Sequence, residues 1–266
     1  MSEKIVISAD QEFSTIASER DSRRAQFITY PKLSVLISTA RPSDLLAILY
    51  QLEAQTLPAF ELILGLHDFE LSRAHRSQIK VLEKRNINVL TEFFDKSLTL
   101  GKILTSLGKI SSGEFIAKMD DDDIYGPHHL SDLLELIVIK NADAVGRAMN
   151  FVYIEALDVT VRRVTSQGIS MANVWADWVC GGTILAKRSS AESAGWFGEG
   201  KSAVDTFILQ GIKTNGGKIW RTYGAGYIYR RSIAAQTYAT NYSKYLRANA
   251  EQRVGIWPHE EFGTGR

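Results

Sequence analysis

Cysteine is almost missing from this chain: Cys180 is the single one in 266 residues. No internal disulfide and no cysteine-rich zinc cage can be built from it, and a reducing compartment fits. Charge of one sign is missing as well. The formal net charge is +1, so there is no basic excess of the kind that marks nucleic-acid binding, and no nucleic-acid partner is expected. No stretch approaches the roughly 20 apolar residues needed to cross a bilayer. Met1 to Glu12 lacks the apolar core of a secretion signal. These absences lead to the expectation of a cytoplasmic protein, with peripheral contact at the inner face of the membrane left open. Internal repeats and low-complexity segments are lacking too.

What is there is ample apolar material. Hydrophobic residues make up 45% of the chain, enough for the core of one large domain or two small ones and too much for a disordered chain. The first half alternates strand-like and helix-like segments. Leu33 to Ser38 is an apolar run that ends at a turn, and Ser43 is placed to cap the helix carrying Leu45, Leu46, Ile48, Leu49 and Leu52. Leu62 to Leu66 reads as the second strand, Ser72 to Arg85 as a helix and Ile87 to Leu90 as the third strand. A helix over Leu100 to Ile110 and a fourth strand over Glu114 to Met119 follow. Strands alternating with helices predict an α/β fold with a mostly parallel central sheet flanked by helices, in a single domain. Ligands of such sheets bind beyond the carboxyl ends of the strands.

Asp120, Asp121, Asp122 and Asp123 stand at that edge. Four adjacent carboxylates repel, and each raises its neighbours' pKa unless a cation sits among them. Strand alternation puts Asp120 and Asp122 on one side. Two converging carboxylates suit Mg2+ or Mn2+, which completes its octahedron with water and phosphate oxygens. The plainer alternative is a solvated acidic loop or a set of helix caps. Asp123 in particular stands close enough to the helix after Pro127 to cap it.

Ser112 to Tyr125 (SGEFIAKMDDDDIY) resembles the G-E-Y-I-A-x-x-D-x-D-D segment of family 2 glycosyltransferases, which have the GT-A fold. Leu33 to Pro42 (LSVLISTARP) resembles their first strand and nucleotide loop. Gln55 to Leu64 (QTLPAFELIL) resembles their Q-T-Y-P-x-x-E-x-I segment, and Cys180 to Arg188 (CGGTILAKR) their Gly-Gly strand on the acceptor side. The resemblance implies a GT-A-like, Rossmann-like fold and metal-assisted, inverting transfer of a sugar from a nucleotide diphosphate, a UDP-sugar, to a glycan or lipid-linked hydroxyl in polysaccharide or glycan assembly. It implies a nucleotide site of Thr39, Arg41, Asp120 and Asp121, with either His67 or Asp68 toward the base, and a metal held by Asp122 and Asp120. The metal, as a Lewis acid, would neutralise charge on the leaving diphosphate.

A general base is also implied, from a Glu-Asp pair at the start of an acceptor-side helix. The match is Val204-Asp205, with Val204 in the glutamate's place. A carboxylate can take the acceptor hydroxyl's proton; the alternative for Asp205 is a helix cap, and Glu199 and Asp177 are the next acidic candidates. The late histidine of some members has no counterpart in Gln236-Thr237-Tyr238. Arg230 and Arg231 just upstream are placed to help hold a diphosphate, or are solvated charges. Trp175, Trp178 and Trp196 read either as an aromatic wall for a sugar ring or as core.

The expected organisation is an N-terminal extension over 1–30 and a transferase domain over 31–235. Within it, 31–123 would bind nucleotide and 124–235 would shape the acceptor site. A covering segment over 236–266 would complete the chain and could serve a homo-oligomer contact. Two rival functions stand beside this one. A sugar-phosphate nucleotidyltransferase would need a Gly-rich basic loop after the first strand, which Ser38 to Asp44 (STARPSD) lacks. A non-catalytic sugar-binding module would not need Asp120, Asp122 and Asp205 intact.

Overall fold

The computed structural model describes residues 7–164, 170–233, 242–247 and 249–264. Helix α1 (Ala9–Arg24) comes first. Then β1 (Leu33–Thr39), α2 (Pro42–Glu53), β2 (Phe60–His67), α3 (Arg73–Lys84), β3 (Ile87–Phe94), α4 (Leu100–Ile110) and β4 (Phe115–Lys118) alternate. The helix starts have identifiable causes. Ser72 and His75 form a capping box on α3, and Thr99 caps α4. Ser43 caps nothing. Helix α2 begins two residues earlier than a Ser43 cap would place it, with Arg41 at the cap and Pro42 in the first turn, where proline's fixed φ and missing N–H cost nothing.

The second half is built of shorter pieces. They are β5 (Ile124–Tyr125), α5 (His129–Ile139), β6 (Ala144–Arg147), β7 (Phe151–Ile154), β8 (Val159–Arg163), β9 (Val174–Ala176), β10 (Leu185–Lys187), α6 (Arg188–Ser193), α7 (Val204–Thr214), β11 (Ile219–Thr222), β12 (Tyr227–Arg231), α8 (Ser243–Leu246) and β13 (Asn249–Val254). The main sheet has the order β3-β2-β1-β4-β10-β6-β11-β9. It is mixed, which corrects the expectation of a mostly parallel sheet. Strands β1 to β4 are parallel neighbours, but β10 lies antiparallel between β4 and β6, and β9 antiparallel on β11. The turn Gly181–Thr183 delivers the chain to the carboxyl end of β4. A strand that starts there can only run back, and an antiparallel neighbour needs no crossover. A second sheet, β13-β8-β7-β12-β5, is mostly antiparallel.

Strand alternation divides the core between the two faces of the main sheet. Val35 and Ile37 of β1 pack with Leu45, Leu49 and Leu133 of α2 and α5. Leu36 faces the other way, toward Ile103 and Leu107 of α4 and Ile208 of α7. Among the described residues no helix is long and apolar enough to cross a membrane.

Helix α1 is tied to the body by buried charge. Arg20 donates to Asp132 of α5 at 2.8 Å and to Glu261 at 2.6 Å. Arg23 reaches Asp132 at 3.0 Å, and Arg147 of β6 reaches it at 3.2 Å. Farther up the helix Glu12 pairs with Arg162 of β8 at 2.6 Å. Burial opposes the charge on Asp132, but three guanidiniums outweigh it and hold the carboxyl well below its ordinary range. Its contribution to stability is therefore present above about pH 4, the usual carboxylate range, and is lost as pH falls below it. Removing one partner of a buried ionic cluster strands the others, so Asp132→Ala should cost about 3–5 kcal/mol. Urea denaturation with an unchanged slope checks this; a loss under about 1 kcal/mol would mean that α1 is held mainly by its apolar contacts.

Candidate active site at the carboxyl edge of the main sheet

Strands β1, β2 and β4 end together, and the acidic run leaves β4 at that edge. Its four carboxylates are not equivalent. Asp121 and Asp123 are buried, whereas Asp120 and Asp122 keep 35% and 20% of their side chains exposed. The chain turns at Asp121 and Asp122, so strand alternation does not arrange them: Asp121 and Asp122 both meet Arg41, whereas Asp120 faces Lys118. Asp121 accepts a hydrogen bond from the Thr39 hydroxyl at 2.5 Å and an ion pair from Arg41. Arg41 also pairs with Asp122 at 2.8 Å and with Asp44 at 3.3 Å, so one guanidinium at the start of α2 serves three carboxylates. Asp123 is not a helix cap: His128 precedes α5. Instead it accepts from the Tyr227 hydroxyl at 2.6 Å and from the Arg230 backbone N–H at 2.9 Å. The Arg230 side chain pairs with Glu155 at 2.6 Å and also feels the charges of Asp44 and Asp122, and Arg231 donates to the Tyr229 hydroxyl.

On the other side of Asp120 lies a residue that pattern reading passed over. Lys118 ends β4, buried, with its ammonium 2.8 Å from Asp120 and 3.0 Å from Asp205. The available signal was a lone lysine in an apolar strand, two places before Asp120 and hence on its side. Asp205 stands in the first turn of α7, which has no side-chain cap. The Gly181-Gly182 turn lies against these groups. A Cβ on Gly181 would run into the Asp205 carboxylate, and one on Gly182 would come within 2.9 Å of Asp120, Asp123 and the Tyr125 hydroxyl. Two glycines are therefore what lets this backbone approach the acidic strip. Tyr125 donates its hydroxyl to the Gly182 carbonyl at 2.9 Å.

Crowding shows in the proton affinities. Burial pushes Asp122 up to about 6; Asp120 and Asp121 add to this and Arg41 opposes it. Burial, with Asp122 and Asp120, raises Asp123 well above the carboxylate range. Burial also raises Asp205, with Lys118 opposing and Asp120 adding. For Lys118, burial works against the charge, but Asp120 and Asp205 outweigh it and keep the ammonium protonated.

The donor set open to a hard divalent cation here is small. No three His, Cys, Asp or Glu side chains converge as a ready cage among the described residues. Asp120 and Asp122 are the two accessible carboxylates of the run, and burial, with like charge adding and Arg41 opposing, disfavours the ionised Asp122. Two carboxylates with water and diphosphate oxygens completing the shell is an ordinary Mg2+ arrangement.

His67 and Asp68 lie farther along the same edge. With Leu66, Phe69, Glu70, Phe93, Phe94 and Asp95, Asp68 lines a cleft of about 390 Å3. The exposed Phe93 ring is part of it, and the His67 Nε2 is buried with no hydrogen-bond partner among the described residues. Other expected residues are not brought together. Asp177 is exposed and pairs with Lys213 at 2.9 Å beside a cleft of about 380 Å3 at the outer edge of β9. Glu199 is exposed near Lys102. The three tryptophans form no common wall: Trp196 is buried against Arg188, Trp175 packs edge-on to Trp220 at the sheet edge, and Trp178 joins the core. Gln236, Thr237 and Tyr238 lie outside the described residues.

No protein-family model and no curated protein matches the chain. Solved structures do. Residues 1–349 of S. aureus TarS in complex with UDP-GlcNAc match with a TM-score of 0.59 at 17% identity, over 82% of this chain and 64% of that one. The mannosyltransferase PcManGT from Pyrobaculum calidifontis, in complex with GDP-Man and Mn2+, matches with a TM-score of 0.58 at 13% identity, over 86% of this chain and 67% of that one. Longer S. aureus TarS matches at 19% identity with a TM-score of 0.56, and this chain spans 37% of its length. At such identities the likeness is one of fold.

Asp122 offers a direct check on the crowding. Its folded-state value of about 6 lies above the ordinary 3.8, so the stability it contributes is full below about pH 4 and is lost as pH rises through about 6. Asparagine imitates the protonated form. In chelator, Asp122→Asn should melt above wild type at pH 7.5, and the difference should close by about pH 4. An equal or lower melting temperature at pH 7.5 would show that the Arg41 pair outweighs the repulsion.

Proposed function

We propose that the chain is a glycosyltransferase of the family 2 type, which moves a sugar from a nucleotide diphosphate, a UDP-sugar, to a hydroxyl of a glycan or lipid-linked acceptor with inversion. One observation carries this reading. The donor-side carboxylate Asp120 and the acceptor-side carboxylate Asp205, far apart in sequence, meet at the same buried ammonium. A group able to accept a proton therefore stands beside a group placed to face a diphosphate. The fold shared with sugar-nucleotide complexes supports the same reading.

The roles follow from position. The edge cleft beside His67 and Asp68 takes the base, and Thr39 and Arg41 border the nucleotide together with Asp120 and Asp121. Asp120 and Asp122 are the residues that would hold Mn2+ or Mg2+, which when bound offsets the charge gathering on the leaving diphosphate. The acceptor oxygen forms its bond to the anomeric carbon as the bond to the diphosphate oxygen breaks, and its proton passes to Asp205. One displacement inverts the carbon. Burial of Asp205 raises its basicity toward the operating pH, as a general base requires. The nucleotidyltransferase alternative finds no support at the first loop, where only Ala40 and Arg41 separate β1 from α2. We assign 31–123 to the nucleotide half and 124–235 to the acceptor half on the same grounds.

Two measurements test the proposal. Calorimetry with UDP, GDP and dTDP should show UDP binding tightest, lost in chelator and lost in Asp122→Ala; tight binding indifferent to chelator would remove the metal from the reading. Asp205→Asn should bind UDP as wild type does and transfer or hydrolyse the donor roughly 100-fold more slowly. Asparagine caps a helix about as well as aspartate, so an unchanged rate would make Asp205 structural.

A further inference from the structure

We propose that Lys118 is a positioning residue: its ammonium ties the acceptor-side carboxylate Asp205 to the donor-side carboxylate Asp120 and touches neither substrate. The proposal rests on the glycosyl-transfer reading above and assigns a part in it to a residue outside the acidic run.

A lysine ammonium has three protons to donate. Here three acceptors surround it: Asp120 at 2.8 Å, Asp205 at 3.0 Å and the Gly181 carbonyl at 3.3 Å. The side chain is 3% exposed. The ammonium donates to Asp120 and the Gly181 carbonyl and meets the Asp205 Oδ1 as an ion pair, with no hydrogen bond to that oxygen; with almost no surface open, it has no face left for a sugar or a diphosphate. What it can do is place the groups around it.

Asp205 needs such placing. Helix α7 leaves Ala203 with a left-handed φ of 59° at its start and uses no side chain as a cap, so capping does not hold the carboxylate. On one side the carboxylate abuts Gly181, where even a methyl group would overlap it. On the other side the Lys118 ammonium holds it. These two contacts flank the Asp205 carboxylate. Without the cation, Asp120 and Asp205 become two neighbouring carboxylates with like charge and no common partner, and Asp205 has reason to leave. The stem of Lys118 comes from the end of β4, so the position of the proposed base is set by the strand that also delivers the acidic run.

The test uses Lys118→Met, which keeps the length and removes the charge, Asp205→Asn, and the double variant. UDP affinity, hydrolysis of UDP-GlcNAc and of GDP-Man with Mn2+, and melting temperature are measured for each. Displacing a reacting group by about 1 Å costs on the order of 100-fold, so Lys118→Met should slow hydrolysis by roughly 30-fold or more while UDP affinity changes less than about 3-fold. In the Asp205→Asn background the same change should cost less than about 2-fold, because a residue acting through Asp205 has nothing left to act on. The double variant should also melt above Lys118→Met, since it strands one carboxylate, Asp120, where the single variant strands two; if the single variant fails to fold, the comparison of the double variant with Asp205→Asn still decides. Loss of UDP affinity in parallel with rate would make Lys118 a donor ligand and overturn the proposal, as would multiplying losses in the double variant. Wild-type hydrolysis with Lys118→Met unchanged overturns this assignment alone. Wild-type protein that turns over neither nucleotide sugar overturns the transfer reading and this assignment with it.

Discussion

Burying several like charges at the end of one strand is the constraint on which this structure depends. Asp121 and Asp123 are carboxylates withdrawn from water, and each would cost several kcal/mol if left unpaired; Asp205 is half-buried beside them. No single segment supplies the partners. Arg41 and Thr39 come from the end of β1, Lys118 from β4 itself, and Tyr227 with the Arg230 N–H from β12. Gly181 and Gly182 supply no partner, only the absence of a side chain. Parts of the chain nearly two hundred residues apart are thereby required at one point, and a site with two distinct sides results.

The second layer of buried charge serves the first. Arg147 donates to the Ala225 carbonyl, two residues before Tyr227, and shares Asp132 with Arg20 and Arg23 of α1. Tyr227 in turn meets Asp123. A continuous run of ionic and hydrogen-bonded contacts thus leads from the first helix to the acidic strip. This is how the short second sheet is held so that β12 faces the end of β4. Hydrophobic packing alone, being non-directional, would fix the layers but not the register of a hydroxyl on a carboxylate.

Periodicity carried much of the fold into view. The helix over Leu100–Ile110 and the strand order strand-helix-strand up to β4 are legible because apolar residues recur at 3.6 or 2.0 along the chain. What periodicity cannot show is direction. Leu185–Lys187 reads as a strand either way, and only the turn at Gly181–Thr183 makes it antiparallel. A cap is equally hidden when two residues compete: Ser43 has the better side chain, but Pro42 has the backbone. Lys118 lies within the segment that leads to the acidic run, but a lysine in a strand has no meaning until its neighbours in space are known. The tryptophans separate for the same reason: Trp196 is buried, Trp178 half-buried against the core, and Trp175 exposed at the sheet edge.

The sequence by itself determined that this chain is α/β and that its acidic run follows a buried strand at the carboxyl edge of the sheet. These are local consequences of side-chain period and of where apolar runs stop. Only the tertiary structure decided that Asp205 belongs to that edge while Asp177 and Glu199 do not, that Asp123 is a buried acceptor and not a cap, and that one lysine joins the two halves. Those outcomes depend on which charges the fold removes from water together, and desolvation is a property of the packed chain that no stretch of sequence carries alone.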